Sequence, residues 1–507
     1  MTIAAPFRGT YKLRPNYPRT KTGCLTCRHR RKKCDERRPI CRGCTRNELR
    51  CLWKDPSHSR PPGPYIDQAH GRKQCVLVVA DDPNQAISSA PALQPPDLVL
   101  RLPPNQLHYA SDRACALTSV SLGLLSHYII HTGALLAAAP LEHSPFITQL
   151  LPLACLDDTL MHAILATSAA HLSFKNNGEV EIDMAAWKHY SSAIQSLQRQ
   201  CANLCAMDPE KTLRLLVVLI VISHFEALSG NCNGTIFMHL RACRVLIHGF
   251  LNGHIAPLTG DCKSLFGFSI EIYAYLLFSN TLTPYGMLQE RTLPYDSFLM
   301  SLDVLTQYQT FGTMFAGAHG LFQLIPLLSL LHSNRLNEQE VGEVSESSIL
   351  ISNQLYDLIL HWDLSECEDD CDGHEASRRQ LAAECYRYAL EICLLTAMAG
   401  TEVTDITTIY RIETLTRAIM VTVEQLSGSS YCASMLWPLM IAGSCMINYR
   451  HQNKLEEMLR NSRYQMRHTV SAAELLCLLW KEDSQHVYGP YGLSVVMKKY
   501  NMNCCLF

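Results

Sequence analysis

From about residue 116 onward, apolar residues recur every three or four positions, the spacing that lines one face of an α-helix. The period predicts helices over 122–139, 158–173, 185–206, 211–228, 236–251, 349–361, 376–399, 406–426 and 472–481. Leu, Ala, Ile and Met dominate these stretches, as suits helices that pack on helices. Strand-like alternation is scarce and no repeat of fixed period runs through the region. The expectation is a large all-α domain over 116–507 rather than a regular solenoid.

Upstream, the helical pattern fails. Residues 1–19 are polar and proline-containing, which predicts a flexible basic arm. Residues 56–115 hold 10 of the 24 prolines and predict an irregular linker, with a candidate short strand at 76–79. Between them, residues 20–55 have few apolar positions and six cysteines.

Composition changes this picture chiefly through charge. The chain of 507 residues is 48% hydrophobic and 18% charged, so most of it can bury a core. Its net charge of −2 hides a division. Residues 1–60 carry 17 Lys+Arg against 4 Asp+Glu, and the remainder carries 27 against 42, giving +13 and −15. A basic head on an acidic body implies a polyanion partner, nucleic acid before anionic membrane. The longest apolar run, 215–222, is too short for a bilayer that needs about twenty residues. The first residues lack the apolar core of a secretory signal, so the cysteines are expected in a reducing compartment, where a tight cluster means metal or catalysis.

Cys24, Cys27, Cys34, Cys41, Cys44 and Cys51 follow the spacing C-x2-C-x6-C-x6-C-x2-C-x6-C, two near-identical halves. Each C-x2-C places two thiolates on one turn. Six sulfurs complete two tetrahedral sites if the first Cys of each half bridges both metals. By that count Cys24 and Cys41 bridge, Cys27 and Cys34 complete one Zn2+, and Cys44 and Cys51 the other. Both sites are then saturated with thiolate, so the metal is structural and not catalytic.

The segment GCLTCRHRRKKCDERRPICRGCTRNELRCLW resembles the DNA-binding domain of the fungal binuclear zinc-cluster transcription factors. The resemblance implies that a helix after the second cysteine enters the major groove and reads a CGG triplet through Arg30 and Arg31, whose guanidinium forks suit guanine. It places Arg28, Lys32 and Lys33 on phosphates and Pro39 at the turn between the halves. Many relatives dimerise through a coiled coil just after the cluster. Residues 53–64 contain four prolines here, so no coiled-coil dimer is expected from that stretch.

The body carries the resemblance further. Residues 151–173, 235–247 and 436–446 look like parts of the fungal-specific transcription factor domain, in the subgroup of acriflavine-resistance-type regulators. Trp437 and Pro438 read as a helix start, and Gly443 as a point of close packing. The fold class expected is therefore a small two-zinc binuclear cluster domain at 20–55 plus a large all-α regulatory domain. The implied function is a nuclear, sequence-specific regulator of RNA polymerase II genes at CGG-type elements, a pathway-specific activator, with secondary-metabolite clusters among the candidate targets. Implied partners are double-stranded DNA, transcriptional coregulators and a small-molecule effector, with no stable membrane association. The alternative is a zinc-dependent interaction protein with a nucleic-acid-binding head and no sequence-specific regulatory role.

No catalytic motif interrupts this body, and an enzyme is not expected. His127 and His131 have metal-ligand spacing without a third ligand nearby in sequence, which favours packing. The acidic stretch 363–375 reads as a solvated loop. Most cysteines beyond the cluster read as small buried hydrophobes. The last four residues, Cys504, Cys505, Leu506 and Phe507, have the form of a prenylation signal, but a membrane anchor conflicts with a DNA-binding head.

Overall fold

A computed structural model describes residues 22–24, 26–27, 32–38, 40–46, 51, 53, 117–137, 144–176, 178–202, 208–308, 312–315, 318–362, 373–462, 464–482 and 488–506. The arm 1–19, the linker 56–115 with its candidate strand, and most of the acidic stretch lie outside them. The chain divides into two units, Met1–Pro91 and Ala92–Phe507.

Among the described residues the larger unit is helical, with a lone parallel bridge between Asn233 and Asn503. Helix α1 (Ser119–His127) runs through a π-helical turn, Tyr128–Thr132, into Gly133–Leu135. Then come α2 (Asp158–Lys175), α3 (Val180–Ala202), α4 (Pro209–Leu228), α5 (Thr235–Leu251) and α6 (Gly260–Ser279). The second half holds α7 (Leu324–Val341), α8 (Glu346–Leu360), α9 (Gly373–Ala399), α10 (Ile406–Gln425) and α11 (Leu436–Ser444). It closes with α12 (Tyr449–Arg460), α13 (Arg467–Trp480) and α14 (Gly489–Tyr500).

Polar side chains start these helices where the apolar period begins. Asp157, Asp208, Ser345, Asp405 and Asn448 each accept backbone N–H groups of the first turn, at about 1 kcal/mol per cap. Helix α2 packs on α3 and α4, and α4 packs on α5 and α6. Helices α7, α8, α10 and α11 gather round α9, while α12 and α14 flank α13. Helix α4 also meets α13, and one apolar core runs from Leu124 to Leu506.

Helices α4 and α6 are buried on nearly every face. Both carry little amphipathic period, but α4 keeps an unbroken apolar run over 215–222, whereas Gly267, Ser269 and Glu271 interrupt the apolar residues of α6 and hide it in the sequence. Part of their polar content is satisfied internally: His224 Nδ1 lies 2.9 Å from the Ile220 carbonyl. Glu271 accepts the N–H groups of Gly312 and Met314 at 3.1 and 2.6 Å, and burial pushes its carboxyl up to about 8.

Helix α11 bears out the close packing read from its sequence. Trp437 is buried, donates from Nε1 to the Thr281 carbonyl at 2.9 Å, and stacks on Tyr386. A Cβ on Gly443 would lie 2.7 Å from both Leu455 Cδ2 and Leu476 Cδ1, so the site admits only glycine without movement. His127 is likewise a packing residue. Its Nε2 lies 3.3 Å from His171 Nδ1, and His171 Nε2 lies 3.0 Å from the Tyr464 carbonyl. Burial holds His127 down at about 3 and His171 at about 4. His131 is exposed beside them.

Cysteine usage in the body is more varied than the expectation. Cys243, Cys385, Cys393, Cys445, Cys504 and Cys505 are buried, but Cys155, Cys232, Cys262, Cys432 and Cys477 are only partly so and Cys201 is exposed. No helix among the described residues is long and apolar enough to cross a membrane.

Candidate metal centre and nucleic-acid interface

Among the described residues the smaller unit has a core of cysteine. Cys24, Cys27, Cys34, Cys41 and Cys44 are buried, with Cys51 and Trp53 packed against them. The chain is wound so that both halves treat their sulfurs alike. The N–H groups of Cys27 and Cys44 donate to Cys24 Sγ and Cys41 Sγ, both at 3.3 Å. Those of Cys24 and Cys41 donate to Cys34 Sγ and Cys51 Sγ at 3.4 and 3.3 Å. The internal repeat of the sequence is therefore a repeat in space.

Two sets of four sulfurs lie within 4.8 Å of one another: Cys24, Cys27, Cys34 and Cys41, and Cys24, Cys41, Cys44 and Cys51. Cys24 and Cys41 belong to both. Their sulfurs are 3.7 Å apart, with Cys24–Cys44 at 3.7 Å and Cys27–Cys41 at 3.5 Å. Four sulfurs arranged tetrahedrally at Zn–S distances of about 2.3 Å would be separated by about 3.8 Å, so the cradle fits zinc. Backbone N–H groups aimed at sulfur favour thiolate over thiol. Burial raises Cys41, yet the Cys44 N–H and the neighbouring thiols bring it down to about 6, while burial pushes Cys44 up to about 12.

Close approach is built into the cage. A Cβ on Gly23 would sit 2.6 Å from Cys34 Cβ, which brings the first cysteine against the third. Asp35 Oδ1 accepts the Arg42 N–H at 2.9 Å and starts the short helix Arg42–Thr45. Arg38 lies over the Trp53 ring at 4.7 Å.

Lys32 and Lys33 are exposed, as are Arg37, Arg38, Arg42 and Arg46. The last four were counted in the basic head but not singled out from the sequence, because they lie outside the run 28–33. Arg28, Arg30, Arg31 and Pro39 lie outside the described residues. Glu36 Oε1 accepts the Thr22 hydroxyl at 2.6 Å, so the acidic pair Asp35 and Glu36 is used in local bonds. No other set of three or more His, Cys, Asp and Glu among the described residues has ligand atoms close enough to share a metal, His127 and His131 included.

Residues 22–61 match the fungal Zn(2)-Cys(6) binuclear cluster domain and residues 123–507 the fungal specific transcription factor domain. The second match covers most of the chain, which belongs to this family of fungal transcription factors, not of enzymes. Its cluster domain binds two zinc ions with six cysteines.

Particular relatives follow from the family. Over 191 residues the chain is 29% identical to the transcriptional activator protein UGA3 of Saccharomyces cerevisiae, covering 34% of each. Over 215 residues it is 29% identical to the Zn(2)-C6 fungal-type transcription factor afumD of Aspergillus fumigatus, covering 42% of this chain and 48% of the relative. Over 51 residues it is 51% identical to the transcription factor lfc1 of Flammulina velutipes, covering 10% and 18%. The chain thus spans less than half the length of each of these relatives. No solved structure matches it.

Proposed function

We propose that the protein is a nuclear, sequence-specific DNA-binding regulator of RNA polymerase II genes, acting at CGG-type elements as a pathway-specific activator. The carrying observation is the pair of four-sulfur groups that share Cys24 and Cys41 beside exposed cations. In this reading Cys24 and Cys41 bridge two zincs, Cys27 and Cys34 complete one, and Cys44 and Cys51 the other. Arg30 and Arg31 read guanines, while Arg28, Lys32 and Lys33 hold phosphates. Zinc supplies structure and no reaction, because thiolates fill every coordination position.

The domain limits belong to the same reading: an arm 1–19, the cluster 20–55, a linker 56–115 and a regulatory body 116–507. The body receives a small-molecule signal or contacts coregulators, and its blocks 151–173, 235–247 and 436–446 support the acriflavine-resistance-regulator type. An activator of a secondary-metabolite cluster is the narrowest form of the proposal. The prolines after Trp53 support binding of the head without a coiled-coil dimer.

Zinc-loaded full chain, titrated with salt on duplexes with and without CGG, tests the proposal. A preference of about 10³ or more for CGG is expected. Equal affinity for both duplexes would overturn it in favour of a zinc-dependent interaction protein whose basic head binds polyanions without reading sequence.

A further inference from the structure

Residues 503–506 are docked into the body. Cys504, Cys505 and Leu506 are all buried. The Asn503 N–H donates to the Cys232 carbonyl at 2.8 Å, in the turn between α4 and α5. Arg291 donates to the Cys504 carbonyl at 2.7 Å. Asn280 grips Leu506 twice, accepting its N–H at 2.9 Å and donating to its carbonyl at 2.8 Å. The backbone is therefore fixed on both sides of Cys504, and Cys232 lies directly against it. The two sulfurs are 3.3 Å apart, although their residues are 272 positions apart in sequence.

We propose that Cys232 and Cys504 form a peroxide-responsive pair whose oxidation to a disulfide fastens the tail to the turn between α4 and α5. Closing the bond needs the sulfurs to move from 3.3 Å to about 2.05 Å, a small shift between two already docked segments. The two thiols are also dissimilar. Cys232 is partly exposed, so a small oxidant reaches it, whereas Cys504 is sealed. The hydrogen bond from Cys504, with that of Ser471 and the charge of Arg291, brings Cys232 down to about 7 against the opposing effects of burial and the Glu474 carboxylate. The bond to Cys232 and burial push Cys504 up. An accessible thiolate poised next to a resolving thiol is the arrangement that reacts selectively with peroxide.

The chemistry balances with hydrogen peroxide as the oxidant. Cys232 thiolate attacks one peroxide oxygen; an S–O bond forms, the O–O bond breaks, and hydroxide leaves and takes a proton as water. Cys504 then attacks the Cys232 sulfenic acid; an S–S bond forms, the S–O bond breaks, and the hydroxyl departs with the Cys504 proton as a second water. Two thiols lose two electrons in all, and one peroxide is reduced to two waters. A dithiol reductant reverses the step by exchange.

The test treats zinc-loaded full chain with one equivalent of hydrogen peroxide, alkylates the remaining thiols and maps tryptic peptides by mass spectrometry. Cleavage after Arg214, Arg241 and Lys499 leaves Cys232 alone in 215–241 and the tail in 500–507. The linked pair should rise at least about tenfold over untreated protein and vanish on reduction. Fragmentation between Cys504 and Cys505 should place the link on Cys504, and Cys505→Ser should keep it. A link on Cys505, a bond between Cys504 and Cys505, or no link while Cys232 accumulates sulfinic acid would each overturn the proposal. The wild-type map decides the matter even if a variant fails to fold.

Discussion

The cluster and the helical body order their chains with opposite materials. Around Cys24 and Cys41 the interior is sulfur, and Cys51 and Trp53 are the partly buried apolar residues packed against it. In the body the interior is a continuous apolar core threaded by α4 and α6. Ordering a residue costs about 1–2 kcal/mol of backbone entropy, and a core of a few side chains cannot offset that. Structural zinc contributes about 10–16 kcal/mol in small metal-dependent modules, so the head depends on its metal as the body depends on packing. Each unit should therefore fail under a perturbation that leaves the other standing.

Metal removal is the strongest such perturbation. A chelator should abolish DNA binding completely and leave the helical circular dichroism of the body and its melting temperature unchanged. Within the head, Cys24→Ala or Cys41→Ala should lose both zincs, whereas Cys27→Ala should disturb chiefly one, read as metal stoichiometry by native mass spectrometry. Retention of two zincs in Cys24→Ala would break the bridging assignment. A body that melted with the chelated head would break the comparison itself.

Acidity acts on both units through different groups. In the head, protons compete with zinc for thiolate. In the body, burial holds His127 at about 3 and His171, His224 and His332 at about 4, all below the ordinary 6.5. Between pH 4 and 6.5 the unfolded chain binds more protons at these positions, so the stability they allow is present above pH 6.5 and is lost as pH falls. Glu271 works in the other direction: raised to about 8, it keeps its proton in the folded state, and stability falls as pH rises from 4.5 through 8. Melting temperature should accordingly peak near neutrality. Glu271→Gln should flatten the alkaline side, whose slope from one group is about 1.4 kcal/mol per pH unit. An unchanged alkaline slope in Glu271→Gln would assign it to other groups.

Packing gives a smaller, local contrast. Gly443→Ala places a Cβ 2.7 Å from two leucine methyls of α12 and α13, and should cost about 1–3 kcal/mol by overpacking. Gly23→Ala meets Cys34 Cβ at 2.6 Å, and its cost should appear as weakened zinc retention with no change in the melting of the body. Denaturant titration of the first and chelator competition of the second separate the two effects.

The two units also differed in how much their sequences disclosed. The cluster was legible because its ligands are spaced locally and the two halves repeat, so the count of sulfurs already implied shared ones. Helices α2, α3, α4 and α5 were legible from their apolar residues at helical spacing. Helix α6 was not, since Gly267, Ser269 and Glu271 interrupt its apolar residues although all three are buried. Helix α12 escaped for the opposite reason: it buries only Leu455 and Leu459 in an otherwise charged stretch. Nothing local marked Cys232 as a partner of Cys504, because their contact is made by the fold across 272 positions. In the sequence Cys504, Cys505 and Leu506 read as part of a chemical motif, and only the structure shows that they are buried.

The finest contrast lies inside the basic head, between a residue that reads a base and one that holds the backbone. Arginine presents a rigid fork to guanine O6 and N7, so Arg31→Ala should cost about 1–3 kcal/mol on a CGG duplex and much less on a scrambled one. Lysine offers a point charge, and Lys33 is exposed close to the cluster. Lys33→Ala should weaken every duplex alike and lower the salt slope by about one, since each phosphate contact releases roughly one counterion. Fluorescence anisotropy on both duplexes over a range of salt reads the two effects independently. Equal losses for Arg31→Ala on cognate and scrambled DNA would remove its base contact. A CGG-specific loss for Lys33→Ala would instead move the reading surface towards the end of the basic run, next to the third cysteine.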